Sequence, residues 1–139
     1  MAEAVPSASL LPCIDEYPAG WSFDSNDISR GRARFWMNSD RAGPKALEVT
    51  LTDSCEASGA EFPSDEPGTR LFVHVDSQVP RYRGERYYLF AGGCITYLFD
   101  FPHAGAPVLT SDASTAVGMF RRAVLIELAR KFGLKVWSP

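Results

Sequence analysis

Residues 85–101 read ERYYLFAGGCITYLFDF. Two arms rich in Tyr, Phe, Ile, Leu and Thr, side chains that suit a pleated surface, flank Ala91-Gly92-Gly93. Glycines accept the positive φ that a tight hairpin loop requires. The stretch therefore predicts an antiparallel hairpin. Both faces of its arms carry apolar residues, so they read as central strands. One face would meet a helix and the other a second layer or a partner.

Upstream, side chains alternate. Over residues 46–52, Leu47, Val49 and Leu51 point one way while Glu48, Thr50 and Thr52 point the other, the signature of a half-buried antiparallel strand. Residues 32–37 place Ala33, Phe35 and Met37 on one face in the same manner. Residues 20–23 suggest a short first strand and 70–75 a further one, with turn clusters at Ser25-Asn26-Asp27 and at 38–44. Residues 1–16, dominated by Ala, Pro and Ser, show no period and are expected to be an irregular leader.

Downstream, residues 102–109 read as a loop, and a helix is expected from a Thr110 or Ser111 cap to about Phe132. Asp112 suits its positive end, Arg130 and Lys131 its negative end, and Gly133 a C′ position. Residues 134–137 would leave as an edge strand. The helix is not cleanly amphipathic. Ala116, Met119, Phe120, Ala123 and Val124 share a broad face, whereas Leu125, Leu128, Ala129 and Phe132 fall largely outside it. A helix apolar on more than one side contacts more than the sheet beneath it, either a covering segment or a dimer or partner surface. The expected fold is thus α+β: a single domain over 17–139, with an antiparallel sheet of about five to six strands packed on one long C-terminal helix.

With 139 residues, 45% of them apolar and 22% charged, the chain has the makings of one ordinary globular domain. The net charge of −3 gives no concentrated positive surface, so no nucleic-acid partner is expected. The charge is uneven. Residues 1–110 hold nine Lys and Arg against fifteen Asp and Glu, while 111–139 carry five against two. The basic end is either a solvated helix face or a surface for an anionic partner or membrane. No eighteen-residue apolar run is present, and MAEAVPSASLLP lacks the regions of a signal peptide. Either the protein is cytoplasmic, or its targeting segment lies outside this sequence.

The stretch at 53–69, DSCEASGAEFPSDEPGT, is the longest polar, turn-forming segment, of a length usually pinned or functional. Cys55 lies within it and Cys94 at the mouth of the hairpin. A disulfide between them would anchor the loop, stabilising by about 3–4 kcal/mol in the loop-entropy model, and would imply an oxidising compartment. The alternative is three reduced, buried thiols; with the bond formed, Cys13 is left over. Spacings of 42 and 39 between the cysteines fit no zinc pattern. A metal site would need both histidines, His74 and His103, with carboxylates from distant loops, so neither a metal nor any other cofactor is expected. Cys94 with either histidine could form a nucleophilic pair, but it lies in a strand pattern rather than at a helix N-terminus. The acidic groups at Asp24/Asp27, Asp53/Glu56 and Asp65/Glu66 lack calcium-loop spacing. In the mixed run Arg81, Tyr82, Arg83, Arg86, Tyr87 and Tyr88, arginines are expected on the solvent face and tyrosines in the sheet.

Three stretches taken together, SDRAGPKA at 39–46, CEASGAEFPSDEPGTR at 55–70 and YRGERYYLFAGGCITYLFDF at 82–101, resemble the extracytoplasmic domain of uncharacterised membrane proteins from high-GC Gram-positive (actinobacterial) bacteria. The resemblance covers about half the chain and brings no catalytic residues. It implies an adjoining membrane segment outside this sequence, hence membrane proximity and an extracytoplasmic setting for Cys55 and Cys94. The leading expectation is a non-enzymatic extracytoplasmic binding domain engaging a protein or cell-envelope component, with a homodimer as a further option. Its interaction surface would combine the 53–69 loop with the outer helix face, through Glu61, Phe62, Asp65, Glu66, Arg121, Arg122 and Leu125. A cytoplasmic ligand-binding or regulatory domain is the alternative, and a small hydrolase using Cys94 the third reading.

Overall fold

The computed structural model describes residues 3–132. The hairpin forms as expected from Arg81–Phe90 (β7) and Gly93–Pro102 (β8), paired in continuous antiparallel register from Arg81 opposite Pro102 to Phe90 opposite Gly93. Gly92 turns the chain with φ of +78°. A Cβ there would also sit 1.8 Å from the Ser7 carbonyl oxygen, so glycine is required twice over. Leu10–Ile14 (β1) precedes Trp21–Ser29 (β2), Arg32–Ser39 (β3), Gly43–Thr52 (β4), Ala60–Phe62 (β5) and Arg70–Ser77 (β6). The seven strands from β2 to β8 form one antiparallel sheet in the order β2-β3-β4-β8-β7-β6-β5.

The alternation read in the sequence sets which face is buried. Cross-strand rows such as Phe35–Val49–Tyr97 and Ala33–Leu51–Ile95–Tyr88–Leu71 line the inner face, and every one of these residues is buried. Thr50, Glu48, Thr96 and Leu98 fall on the outer face, since neighbours along a strand point opposite ways.

The cover over the inner face differs from expectation, and with it the fold class. In place of one long C-terminal helix there are two eleven-residue helices, Ala106–Ala116 (α1) and Arg122–Phe132 (α2), separated by a strand, Val117–Arg121 (β9). β9 pairs antiparallel with β1 as a separate two-stranded sheet. The domain is therefore mostly β, with seven strands in the main sheet rather than five to six. Helix propensity is overridden over Val117–Arg121 alone, because β1 offers β9 a ladder of backbone partners, and Val117-Gly118-Met119-Phe120 loses little by extending. The absence of a clean helical stripe has the same cause: its middle is extended. α1 starts four residues before the expected cap, with Gly105 at its N-cap in the left-handed region and Pro107 in its first turn. Asp112 instead accepts a hydrogen bond from the Trp21 indole at 3.2 Å.

The leader is the second correction. Leu10–Ile14 is strand, and Ala4, Val5, Ala8 and Leu11 join the core with Leu109, Ala113, Ala116 and Val117. Its small residues carry no period because they fill gaps against other elements. Smaller differences follow tertiary context. β2 runs on through Ser25-Asn26-Asp27 by means of a bulge after Phe23, and β7 begins at Arg81. The expected C′ glycine at 133 and the edge strand at 134–137 lie outside the described residues.

Cys55 and Cys94 are joined in a disulfide, their Cα atoms 5.9 Å apart, and Cys13 is free. Two outcomes test this architecture in urea unfolding. Replacing Cys55 and Cys94 together by Ser lowers stability by about 3–4 kcal/mol, as expected for releasing a loop of this length. Leu11→Ala, fully buried beneath the sheet, costs about 2–5 kcal/mol; an irregular leader would yield almost nothing.

Candidate functional site

The 53–69 segment must travel from β4 to β5, past β8, β7 and β6, to reach the far edge of the sheet. Besides the pairing of β5 with β6, it is held at two points on opposite faces. Cys94 projects from β8 on the side opposite Ile95, so the disulfide fastens the outgoing limb to the outer face. On the return limb Asp65 accepts a hydrogen bond at 2.9 Å from the hydroxyl of Tyr88, an inner-face residue. The segment thus wraps the β5 edge. Its tip is closed by its own hydrogen bonds. The Glu66 amide donates to the Ser64 hydroxyl at 3.1 Å, and the Thr69 hydroxyl donates to the Glu66 carbonyl at 2.7 Å. This presents Pro67-Gly68 as a fixed corner.

Facing that corner is the junction of β9 and α2. Ser9, Leu10, Pro67, Gly68, Ala91, Arg121, Arg122 and Ala123 line a groove of about 520 Å³. The loop and the beginning of the terminal helix therefore do come together, although the residues named from sequence have diverse placements. Arg121 is exposed on the groove. Arg122 serves the fold: its Nε donates to the Ala8 carbonyl at 2.6 Å and its Nη2 to the Val5 carbonyl at 2.5 Å, tying the N-terminal segment to α2. Leu125 is partly buried and packs on the core. Glu61 is spoken for by Arg70, 2.8 Å away, whose hydrogen bond and charge hold the carboxyl below its ordinary value. Phe62 on β5 is half exposed. The Glu66 carboxyl is held above its ordinary value by burial and then by neighbouring Asp65.

Beneath the return limb lies a polar cluster that sequence patterning did not reveal. Arg86, expected on the solvent face, shares the inner face with Tyr88 and reaches Ser114 of α1 at 3.4 Å. Its Nε is buried with no hydrogen-bond partner among the described residues. Burial, the Asp65 charge and the hydrogen bond to Asp65 push the Tyr88 phenol well above its ordinary value. Tyr97 is likewise held well above its ordinary value, first by burial and then by Tyr88. The other arginines behave as expected, with Arg81 and Arg83 converging on Asp100 at 2.5 and 3.4 Å on the outer side.

The cysteine chemistry is now defined. Cys94 is bonded to Cys55, so its sulfur carries no free thiolate for attack. The remaining thiol, Cys13, is pushed up to about 12 by burial and by Asp15. The two histidines are separated. His103 places Nδ1 2.7 Å from the Gln78 carbonyl oxygen, whereas His74 sits on β6 with Asp76 2.8 Å from its Nε2. Asp76 and Glu85 join His74 in a cluster whose ligating atoms all lie within 4.8 Å of one another. A search for paired histidines overlooks this group. The available signal was His74 and Asp76 two apart on one strand, with an acidic residue on the facing arm.

Comparison with protein-family models, with curated proteins and with solved structures found no match to this chain. No helix among the described residues is long and apolar enough to cross a membrane.

The tyrosine pair makes alkaline stability a test of the inner cluster. The unfolded chain can release phenolic protons near pH 10, while folded Tyr88 and Tyr97 hold theirs to higher pH. Their contribution to stability is intact below about pH 10 and falls as pH rises beyond it, because the unfolded state binds fewer protons. Urea midpoints measured from pH 8 to 11 should drop over the upper part of that range. Tyr88→Phe should cost about 1 kcal/mol at neutral pH through the lost hydrogen bond and make the alkaline fall shallower.

Proposed function

We infer that this chain is a non-enzymatic binding domain that works outside the cytoplasm, as part of a bacterial membrane-associated protein. The observation that carries the reading is the Cys55–Cys94 disulfide. Such bonds persist in oxidising compartments and are rare where thioredoxin and glutathione keep thiols reduced. The same bond occupies the sulfur that a cysteine hydrolase would need, which favours binding over that chemistry. It also fixes one limb of the 53–69 loop, so the groove between Pro67-Gly68 and Arg121–Ala123 is formed before any partner arrives. A preformed surface loses less conformational freedom on association. Arg121 on the groove, and Arg130 and Lys131 further along α2, suit a partner with anionic groups, such as an acidic protein segment or a charged envelope component.

The compartment is tested by alkylating the protein isolated from its own cells, denatured and without reductant, and weighing the product. One labelled thiol, Cys13, is the expected result; three would place the protein in a reducing compartment and overturn the reading. For the groove, Arg121→Glu should abolish retention on anionic envelope fractions while leaving the urea midpoint unchanged. Undiminished retention would remove the groove from the proposal.

A further inference from the structure

On the outer face near the open edge of the main sheet, His74 of β6 lies directly opposite Glu85 of β7. Asp76, two residues on, falls on the same face by alternation and completes the group. Register slips between Val75 and Ser77, so Asp76 is the extra residue of a β-bulge. Its Oδ1 lies 2.8 Å from His74 Nε2. The strands approach closely here. A Cβ on Gly84, which faces Val75, would lie 2.6 Å from the His74 carbonyl oxygen. The glycine therefore permits the bulge to seat against β7. β5 pairs only with Leu71, Phe72 and Val73, and Gly59 closes on the backbone of Val73 and His74, so β6 has no strand beside it on that side from Val75 onward.

The electrostatics are unbalanced. Asp76 and Glu85 stand together, yet neither forms an ion pair with Lys or Arg among the described residues. The nearest arginine along β7 on that face, Arg83, is engaged with Asp100. Glu85 Oε2 is shut off from solvent and accepts no hydrogen bond among the described residues. Two converging carboxyls with a buried, unpartnered oxygen call for positive charge between them.

We propose that His74, Asp76 and Glu85 form a divalent transition-metal site of the zinc class, with at least one coordination position open to water or to a donor from a partner. One imidazole nitrogen and two carboxylate oxygens are a donor set that zinc accepts. Magnesium and calcium prefer oxygen alone, so the histidine discriminates against them. Tetrahedral zinc with bonds near 2.0–2.2 Å sets ligand atoms roughly 3.3 Å apart. The 4.8 Å limit therefore leaves only a small side-chain adjustment. The part-exposed His74 and Asp76 side chains are the way in, and they leave the ion exposed to a second molecule. This site is separate from the Arg121 groove and stands or falls independently of it.

The test is zinc titration of tag-free protein, read by competition with a chromophoric chelator in excess magnesium and calcium. The expected result is one equivalent bound at micromolar zinc. His74→Ala and Glu85→Gln should each weaken binding by tenfold or more, since even supporting residues of metal sites change affinity by about 10–100-fold. His103→Ala should bind as the parent does. Should either variant fold poorly, nitrogen NMR of the parent's histidine rings decides: zinc should shift His74 Nε2 and leave His103 unmoved. No uptake, uptake unaffected by both His74→Ala and Glu85→Gln, or a shift confined to His103 would each overturn the proposal.

Discussion

A seven-stranded antiparallel sheet with one strongly apolar face must have that face shut from water, and everything else in this structure follows from how the chain does so. Phe35, Val49, Leu51, Ile95, Tyr97 and Phe101 are all nearly inaccessible, yet they come from a sheet that cannot cover itself. The cover is assembled from sequence-distant pieces: residues 4–14 and residues 106–121. Each is too short and too poor in large apolar residues to be stable alone. They hold because β1 and β9 satisfy each other's backbone groups while both press on the sheet, and because Arg122 fastens the carbonyls of Val5 and Ala8 from the other side. Hydrophobic burial supplies the drive, and backbone pairing decides which segments supply the cover.

The 53–69 loop is a consequence of strand order. Placing β8 and β7 between β4 and β6 obliges the chain to cross the sheet to reach its far edge. A long polar crossing has little apolar surface with which to anchor itself. The disulfide on one face and the Tyr88–Asp65 hydrogen bond on the other supply what packing cannot. The groove is a by-product of that double attachment, since it exists only where the fixed corner at Pro67-Gly68 comes near the β9–α2 junction.

What could be read in the sequence was local. The hairpin, β3 and β4 declare themselves through period-two alternation and glycine placement, and the Cys55–Cys94 pairing follows from a polar loop needing an anchor. What could not be read was non-local. Val117-Gly118-Met119-Phe120 is helix or strand according to whether β1 is beside it, and nothing within five residues reports that. Ala4, Val5 and Ala8 look like a tail because small residues in a core leave no periodic trace. The candidate site divides in the same way. The loop and the helix start were legible as neighbours, but Arg122 and Leu125 proved to be structural, and Arg86 turned inward toward Ser114. His74 and Asp76 share a face by ordinary alternation, but Glu85 joins them only through the register of β6 on β7, a pairing that leaves no mark in residue type.

The ladder between β1 and β9 joins residues over a hundred positions apart, as do the contacts from Arg122 to Val5 and Ala8. On the ribosome, at the exit of a translocation channel or in refolding, the hydrophobic side of the sheet stays bare until residue 121 has emerged. Until then the nascent chain is a sticky, half-clad intermediate, open to chaperones and to self-association. A chain that cannot close early stays extended for longer, so the timing of its folding is set by its last strand.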